Sequence, residues 1–139
     1  MSEAMTYDKP LPSFDEANRP FWDAARQGRL ELQHCADCGK PRYPINHVCP
    51  HCLCGEFAWK PVSGRGTVHS SIVFHQVYNQ AFAGDVPYNV SLIQLAEGPR
   101  MISNVVGLPP SEVKVGDAVQ VTFDAVTPDV TIPRFRRAG

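Results

Sequence analysis

The sequence has no run approaching the ~18 apolar residues that a membrane-spanning helix requires. Its first 20 residues contain no basic, apolar, small-residue succession of the kind that directs export. The expectation is a cytoplasmic protein without a membrane partner. An excess of either charge is also missing: 13 Lys and Arg face 14 Asp and Glu, for a formal net charge of −1. A protein that tracks many phosphates carries a basic surplus, so nucleic acid is excluded as the expected partner. There is no internal repeat and no low-complexity segment. At 43% hydrophobic and 19% charged residues, the composition is that of a folded globular protein. No nucleophile has an identifiable base and oxyanion partner beside it, so no catalytic residue is assigned.

What is present is cysteine in paired spacing. The five cysteines include Cys35-Ala-Asp-Cys38 and, ten residues later, Cys49-Pro50-His51-Cys52. In a reducing compartment tight pairs of this kind bind metal more often than they form disulfides. Two such loops aim four thiolates at one tetrahedral ion, and structural zinc is the expected occupant of Cys35, Cys38, Cys49 and Cys52. The same ligand set can hold iron, which would make the protein a rubredoxin-like electron carrier. Gly39 suits the tight turn after the first pair, whereas Leu53 stands where the second would prefer glycine, which gives Cys54 a claim as an alternative ligand. Four thiolates fill the coordination shell, so the ion is expected to be inert. His34, His47 and His51 beside the ligands read as solvent-facing loop residues.

The 139 residues suffice for one ordinary domain or two very small ones. A unit of roughly 30 residues needs a metal or disulfides to hold it, and the cysteines are placed for that. Residues 1–29 read as an N-terminal tail and helical segment. The tail, 1–13, is expected to be loosely docked. From Phe14 to Arg29 the pattern is helical, with Asn18 as cap, Pro20 in the first turn, Phe21, Trp22, Ala25 and Leu30 as an apolar stripe, and Gly28 as terminator. Residues 30–60 form the ribbon. Residues 61–139 alternate with period two in about five strands, near 66–77, 88–96, 100–106, 117–126 and 130–135. Glu97-Gly98-Pro99 and Thr127-Pro128-Asp129 read as reversals. A mostly β chain of this kind predicts a five-stranded OB-fold barrel that binds ligands on one face.

Several segments bear on what that barrel binds. Ser63-Gly64-Arg65-Gly66-Thr67 is either a phosphate-approaching loop with Arg65 as its charge or a plain connector. Tyr78 and Phe82 lie in a long loop and can stack on a base or cover the barrel mouth. Arg134, with Arg136 and Arg137, can meet phosphates or acidic residues. Coenzyme A requires only one aromatic and two or three arginines, which suits this charge balance better than a nucleic acid does.

Pro20-Phe21-Trp22-Asp23-Ala24, Gly28-Arg29-Leu30, the two cysteine pairs, Ser63-Gly64-Arg65-Gly66-Thr67-Val68, Pro87-Tyr88, Glu97-Gly98-Pro99-Arg100, Ser103-Asn104 and Pro133-Arg134-Phe135 together carry a resemblance. The chain resembles the bacterial and archaeal family of zinc-ribbon plus OB-fold, acyl-CoA-associated proteins, the domain of unknown function of type 35. The match covers nearly everything after Pro20, and Leu53-Cys54 departs from the usual pattern. The resemblance implies a helical segment, a rubredoxin-like zinc ribbon and an OB-fold barrel. It further implies a noncatalytic accessory subunit of a thiolase-fold enzyme, a thiolase or retro-aldolase and sometimes an acyl-CoA hydratase, within a heterotetramer. Such a subunit would help to bind the CoA part of a thioester in aromatic, steroid or fatty acid metabolism, with Arg65, Arg100, Arg134, Tyr78 and Phe82 as candidate CoA contacts. With no room for a fused hydratase or thiolase domain, catalysis is expected from a separate polypeptide. The alternative is a free-standing acyl-CoA or nucleotide-binding module.

Overall fold

The computed structural model describes residues 11–76, 80, 84 and 86–138; most of the expected tail lies outside them. The helical segment is shorter than its pattern: α1 runs Arg19–Arg26. Pro20 sits in its first turn, and Gly28 ends it at φ +81° with its N–H on the Ala25 carbonyl at 2.9 Å. Asn18 holds the cap position but does not cap. Its backbone is already helical, and its side-chain oxygen accepts the Asp15 N–H at 2.9 Å while Asp15 accepts the Asn18 N–H at 2.8 Å. The two residues thus close a turn before the helix rather than serve its free N–H groups. Leu30 falls beyond the helix, at the threshold of the first strand, yet it is buried with Phe21 in the core.

Three strands form the ribbon: β1 (Glu31–Cys35), β2 (Pro41–Arg42) and β3 (Phe57–Pro61), in the order β2-β1-β3. Six more form the second sheet: β4 (Arg65–Phe74), β5 (Tyr88–Leu95), β6 (Arg100–Ser103), β7 (Val105–Val106), β8 (Ala118–Ala125) and β9 (Thr131–Arg137). Their order is β6-β5-β4-β8-β9-β7. All pairings are antiparallel except β7 with β9. The expected third strand over 100–106 is thus cut in two at Asn104. The first half pairs with β5 and the second with β9, so the two ends of the sheet are neighbouring segments of one chain and the sheet curls.

Asn104 makes that turn by donating from Nδ2 to the Asn89 carbonyl at 2.5 Å and accepting the Phe135 N–H on its own carbonyl at 2.9 Å. Buried Asn89 fastens the far side. Its Oδ1 accepts the Val105 N–H at 2.8 Å and its Nδ2 donates to the Val105 carbonyl at 2.6 Å, which reproduces a ladder rung with a side chain. Asn89→Ala strands both backbone groups of Val105 in the interior, so urea denaturation should show a loss of about 3 kcal/mol. A loss under about 1 kcal/mol would mean that the rung carries no weight.

One core serves both sheets. Leu30 and Leu32 from the ribbon end meet Val68, Ile93, Val119 and Phe135 of the barrel, with Phe21 of α1 over them. Burying side chains of this size contributes roughly 1.5–3 kcal/mol each. The proximal half of β1 is therefore anchored in the barrel, and only its distal end reaches the cysteines.

Candidate metal centre

Cys35 closes β1, and the chain turns back through Cys38 and Gly39. The Gly39 N–H bonds the Cys35 carbonyl at 3.0 Å, and Gly39 takes φ +77°. That turn points the N–H groups of Asp37 and Cys38 at Cys35 Sγ, at 3.4 and 3.5 Å. The second loop repeats the design: His51 N–H points at Cys49 Sγ at 3.4 Å, and Leu53 N–H bonds the Cys49 carbonyl at 2.8 Å. Leu53 occupies the position of Gly39 and adopts φ +66°, a left-handed conformation that a branched side chain tolerates at a cost.

The four sulfurs all lie within 4.8 Å of one another. Cys35 and Cys52 are 3.5 Å apart, and Cys38 and Cys49 3.6 Å. A tetrahedral ion with metal–sulfur bonds of about 2.3 Å spaces its ligands by about 3.8 Å, whereas a disulfide needs about 2 Å. The donor set fits zinc. The electrostatics agree: the Cys38 N–H, helped by that of Asp37, outweighs burial and lowers Cys35 to about 6. At Cys52 the Cys54 N–H favours the thiolate, but Cys35 and burial prevail and the thiol is pushed up to about 12. Four thiols this close cannot all ionise unless a cation balances them. The sulfur of Cys54 stays outside the group and accepts the Glu56 N–H at 3.4 Å. None of the three neighbouring histidines joins it, and His34 Nδ1 lies 3.0 Å from the Leu32 carbonyl oxygen.

The arginines expected at CoA do not converge. Arg65 and Arg100 flank the turn between β5 and β6, Arg65 through its carbonyl on the Ala96 N–H at 2.8 Å and Arg100 through Nε on Gln94 Oε1 at 2.7 Å. Arg134 lies past the other end of β6, with Nε on Asp124 at 2.8 Å and Nη1 on Asn104 at 2.6 Å. Tyr78 and Phe82 lie outside the described residues. The Gly64 and Gly66 glycines have packing reasons. Gly64 has φ +78° and lies against the Val121 side chain, and a Cβ on Gly66 would sit 2.6 Å from the Gln94 carbonyl oxygen.

The alternation along β5 does not sort apolar from polar residues. In Tyr88-Asn-Val-Ser-Leu-Ile-Gln-Leu95 one face carries Tyr88, Val90 and Leu92, and the other Asn89, Ser91, Ile93 and Leu95. The structure buries Asn89 and Ser91 with Ile93 and Leu95, and turns the first three outward. They join Ile72, 55% exposed and opposite Val90, and Ile102, 68% exposed and opposite Leu92. Asn89 belongs inside because its amide satisfies both backbone groups of Val105.

Residues 22–58 match the family model described as the ChsH2 rubredoxin-like zinc ribbon domain, and residues 59–124 the ChsH2 C-terminal OB-fold domain. A probable enoyl-CoA hydratase alpha subunit from Thermomonospora curvata is 39% identical over 132 residues, which is 94% of this chain but only 40% of that relative. A DUF35 domain-containing scaffold protein from Methanothermobacter thermautotrophicus is 32% identical over 112 residues, 80% of this chain and 84% of its own length. Among solved structures, a chain of the Ltp2-ChsH2(DUF35) aldolase superposes with a TM-score of 0.84 at 36% identity, covering 93% of this chain and 100% of that one. The chain belongs to the DUF35 family, in which a rubredoxin-like zinc ribbon of the ChsH2 type precedes an OB-fold domain.

Proposed function

We propose that this chain is a noncatalytic accessory subunit of an enzyme that acts on CoA thioesters, and that its partner is a thiolase-fold catalytic subunit, a thiolase or aldolase, in a cytoplasmic heterotetramer. Cys35, Cys38, Cys49 and Cys52 hold a structural zinc ion that shapes the ribbon. Four thiolates leave no open position for water or substrate, so the ion activates neither. The observation that carries the reading is the outer face of β4, β5 and β6. Ile72, Val90, Leu92 and Ile102 form an apolar surface where a solitary barrel would present polar side chains. The names of the relatives, an alpha subunit, a scaffold and an aldolase complex, support the same role. Arg65 and Arg100, which flank the β5–β6 turn from either side, are the better candidates for CoA phosphates. Arg134 is engaged by Asp124 and Asn104, so it holds the barrel instead.

Co-expression with a thiolase-fold catalytic subunit from the same genome should yield one complex on gel filtration. Ile102→Asp should weaken that complex at least about tenfold while the melting temperature of the isolated chain stays put, because Ile102 lies on the outside. Separate elution of the two wild-type chains would remove this reading.

A further inference from the structure

The two cysteine loops are halves of one motif, and they differ where the metal asks for no difference. After Cys38 the first loop turns through Gly39 at φ +77°; after Cys52 the second turns through Leu53 at φ +66°. Both residues make the same bond, from their N–H to the carbonyl of the first cysteine of the pair, at 3.0 and 2.8 Å. Glycine takes that left-handed conformation freely, whereas the Leu53 Cβ crowds its own backbone. Nothing inside the chain offsets that strain. The Leu53 side chain is 75% exposed, more than any other large apolar side chain among the described residues. The fold therefore neither needs leucine at this turn nor shelters it.

The surroundings differ in the same sense. Asp37 and Lys40 flank the first turn, but residues 48–55, Val-Cys-Pro-His-Cys-Leu-Cys-Gly, contain no Asp, Glu, Lys or Arg. Val48 at the entry is 41% exposed, and Pro50 is exposed as well. The loop is also stiff. The Cys49 N–H bonds the Cys54 carbonyl at 2.9 Å, so Leu53 is held from both sides by Cys49 and follows the ligand Cys52 directly. A single exposed leucine is ordinary on a protein surface. A strained one on a metal-clamped, uncharged tip is ordered in advance and loses little freedom when another molecule buries it. We propose that Leu53 is an anchor that enters an uncharged apolar pocket on the catalytic subunit, a contact additional to the outer face of β4, β5 and β6. This rests on the subunit reading given above. The lack of charge along 48–55 selects the occupant. A charged protein surface would find no counter-charge there. A membrane would find one aliphatic side chain with no Lys or Arg beside it, short of the two signals that stable lipid attachment needs. The four-cysteine fold of the ribbon then serves assembly, because without it the turn at Leu53 would relax.

Affinity between the zinc-loaded full chain and a thiolase-fold catalytic subunit from the same genome is measured by calorimetry for the wild type, Leu53→Gly, Leu53→Met and Ile102→Asp. Leu53→Gly should weaken the complex at least about tenfold, while zinc content is unchanged and the melting temperature of the isolated chain holds or rises as strain is released. Leu53→Met keeps an apolar side chain and should bind within about threefold of the wild type. Affinity and stability then part company, which a purely structural residue cannot produce. Wild-type affinity in Leu53→Gly overturns the proposal; if Ile102→Asp still weakens the complex, the subunit reading stands without it. A wild-type chain that binds no such subunit removes both. Affinity lost together with zinc also overturns the proposal, because leucine is then needed by the fold. So does a dimer of the isolated chain that Leu53→Gly disperses, since the occupant is then a second copy.

Discussion

Replacing Cys49 with serine is expected to drop the bound metal from about one ion per chain to a small fraction and to melt the ribbon between residues 36 and 56. Cys49 is 1% exposed and sits where the second loop turns toward the first. Its thiolate cannot be replaced by a hydroxyl, which stays protonated at neutral pH and binds zinc poorly. Metal binding of this kind couples on the order of 10 kcal/mol to folding, more than a short two-hairpin unit can supply from its own core. Damage should stop partway along β1, because Leu30 and Leu32 are held in the shared core. Hydrogen exchange is therefore the measurement of choice. Amides around the cysteines should lose at least about a hundredfold in protection while those of β5 and β8 keep theirs. Full metal content with unchanged protection would show that the four sulfurs do not hold an ion together.

Gly64→Ala is the second large effect, expected to cost about 3 kcal/mol and on the order of 10 °C in melting temperature. Two causes add. Gly64 has φ +78°, where a Cβ meets its own backbone, and the new methyl would run into the side chain of Val121. Relief by moving the strand is blocked, because the Val121 N–H bonds the Gly64 carbonyl at 2.8 Å and ties the two segments together. Gly116→Ala is the matched control. Its φ is +95°, but nothing lies within 4 Å of the added Cβ, so only the backbone cost of about 1 kcal/mol applies. Equal losses in the two variants would refute the packing account. It would then be open to ask whether the glycines of this segment serve an approaching phosphate.

The parts of this molecule that sequence revealed are those governed by local chemistry. Paired cysteines declare their purpose because thiolates at that spacing have few other uses. Gly28 ends a helix by its own backbone freedom, and the strands of the second sheet appear where period two persists. The parts that stayed hidden depend on partners distant in the chain. Asn104 looks like one more residue of a strand until Phe135 and Arg134 claim it from β9. The inward place of Asn89 is set by Val105, which lies 16 residues away. Asn18 has the right residue type at the right position, yet Asp15 competes successfully for its side chain. At the site, the ligand spacing was legible, whereas the backbone N–H groups of Asp37, Cys38 and His51 that point at the sulfurs become visible only when each loop is folded back on itself.

The place of β9 in the sheet carries a consequence for how the molecule reaches its fold. β9 comes last among the strands, but it is not an edge: it lies between β8 and β7, with fully buried Phe135 at its centre. A growing chain can pair β4 with β5, and β5 with β6, as soon as each emerges from the ribosome. β7 and β8 then wait with a slot between them until residues 131–137 are made. Contacts that join segments so far apart in sequence form slowly, and strand edges left open in the interval invite pairing with other chains. Yield of this protein in a cell should therefore depend on how quickly its last strand arrives and on what shields the slot before then.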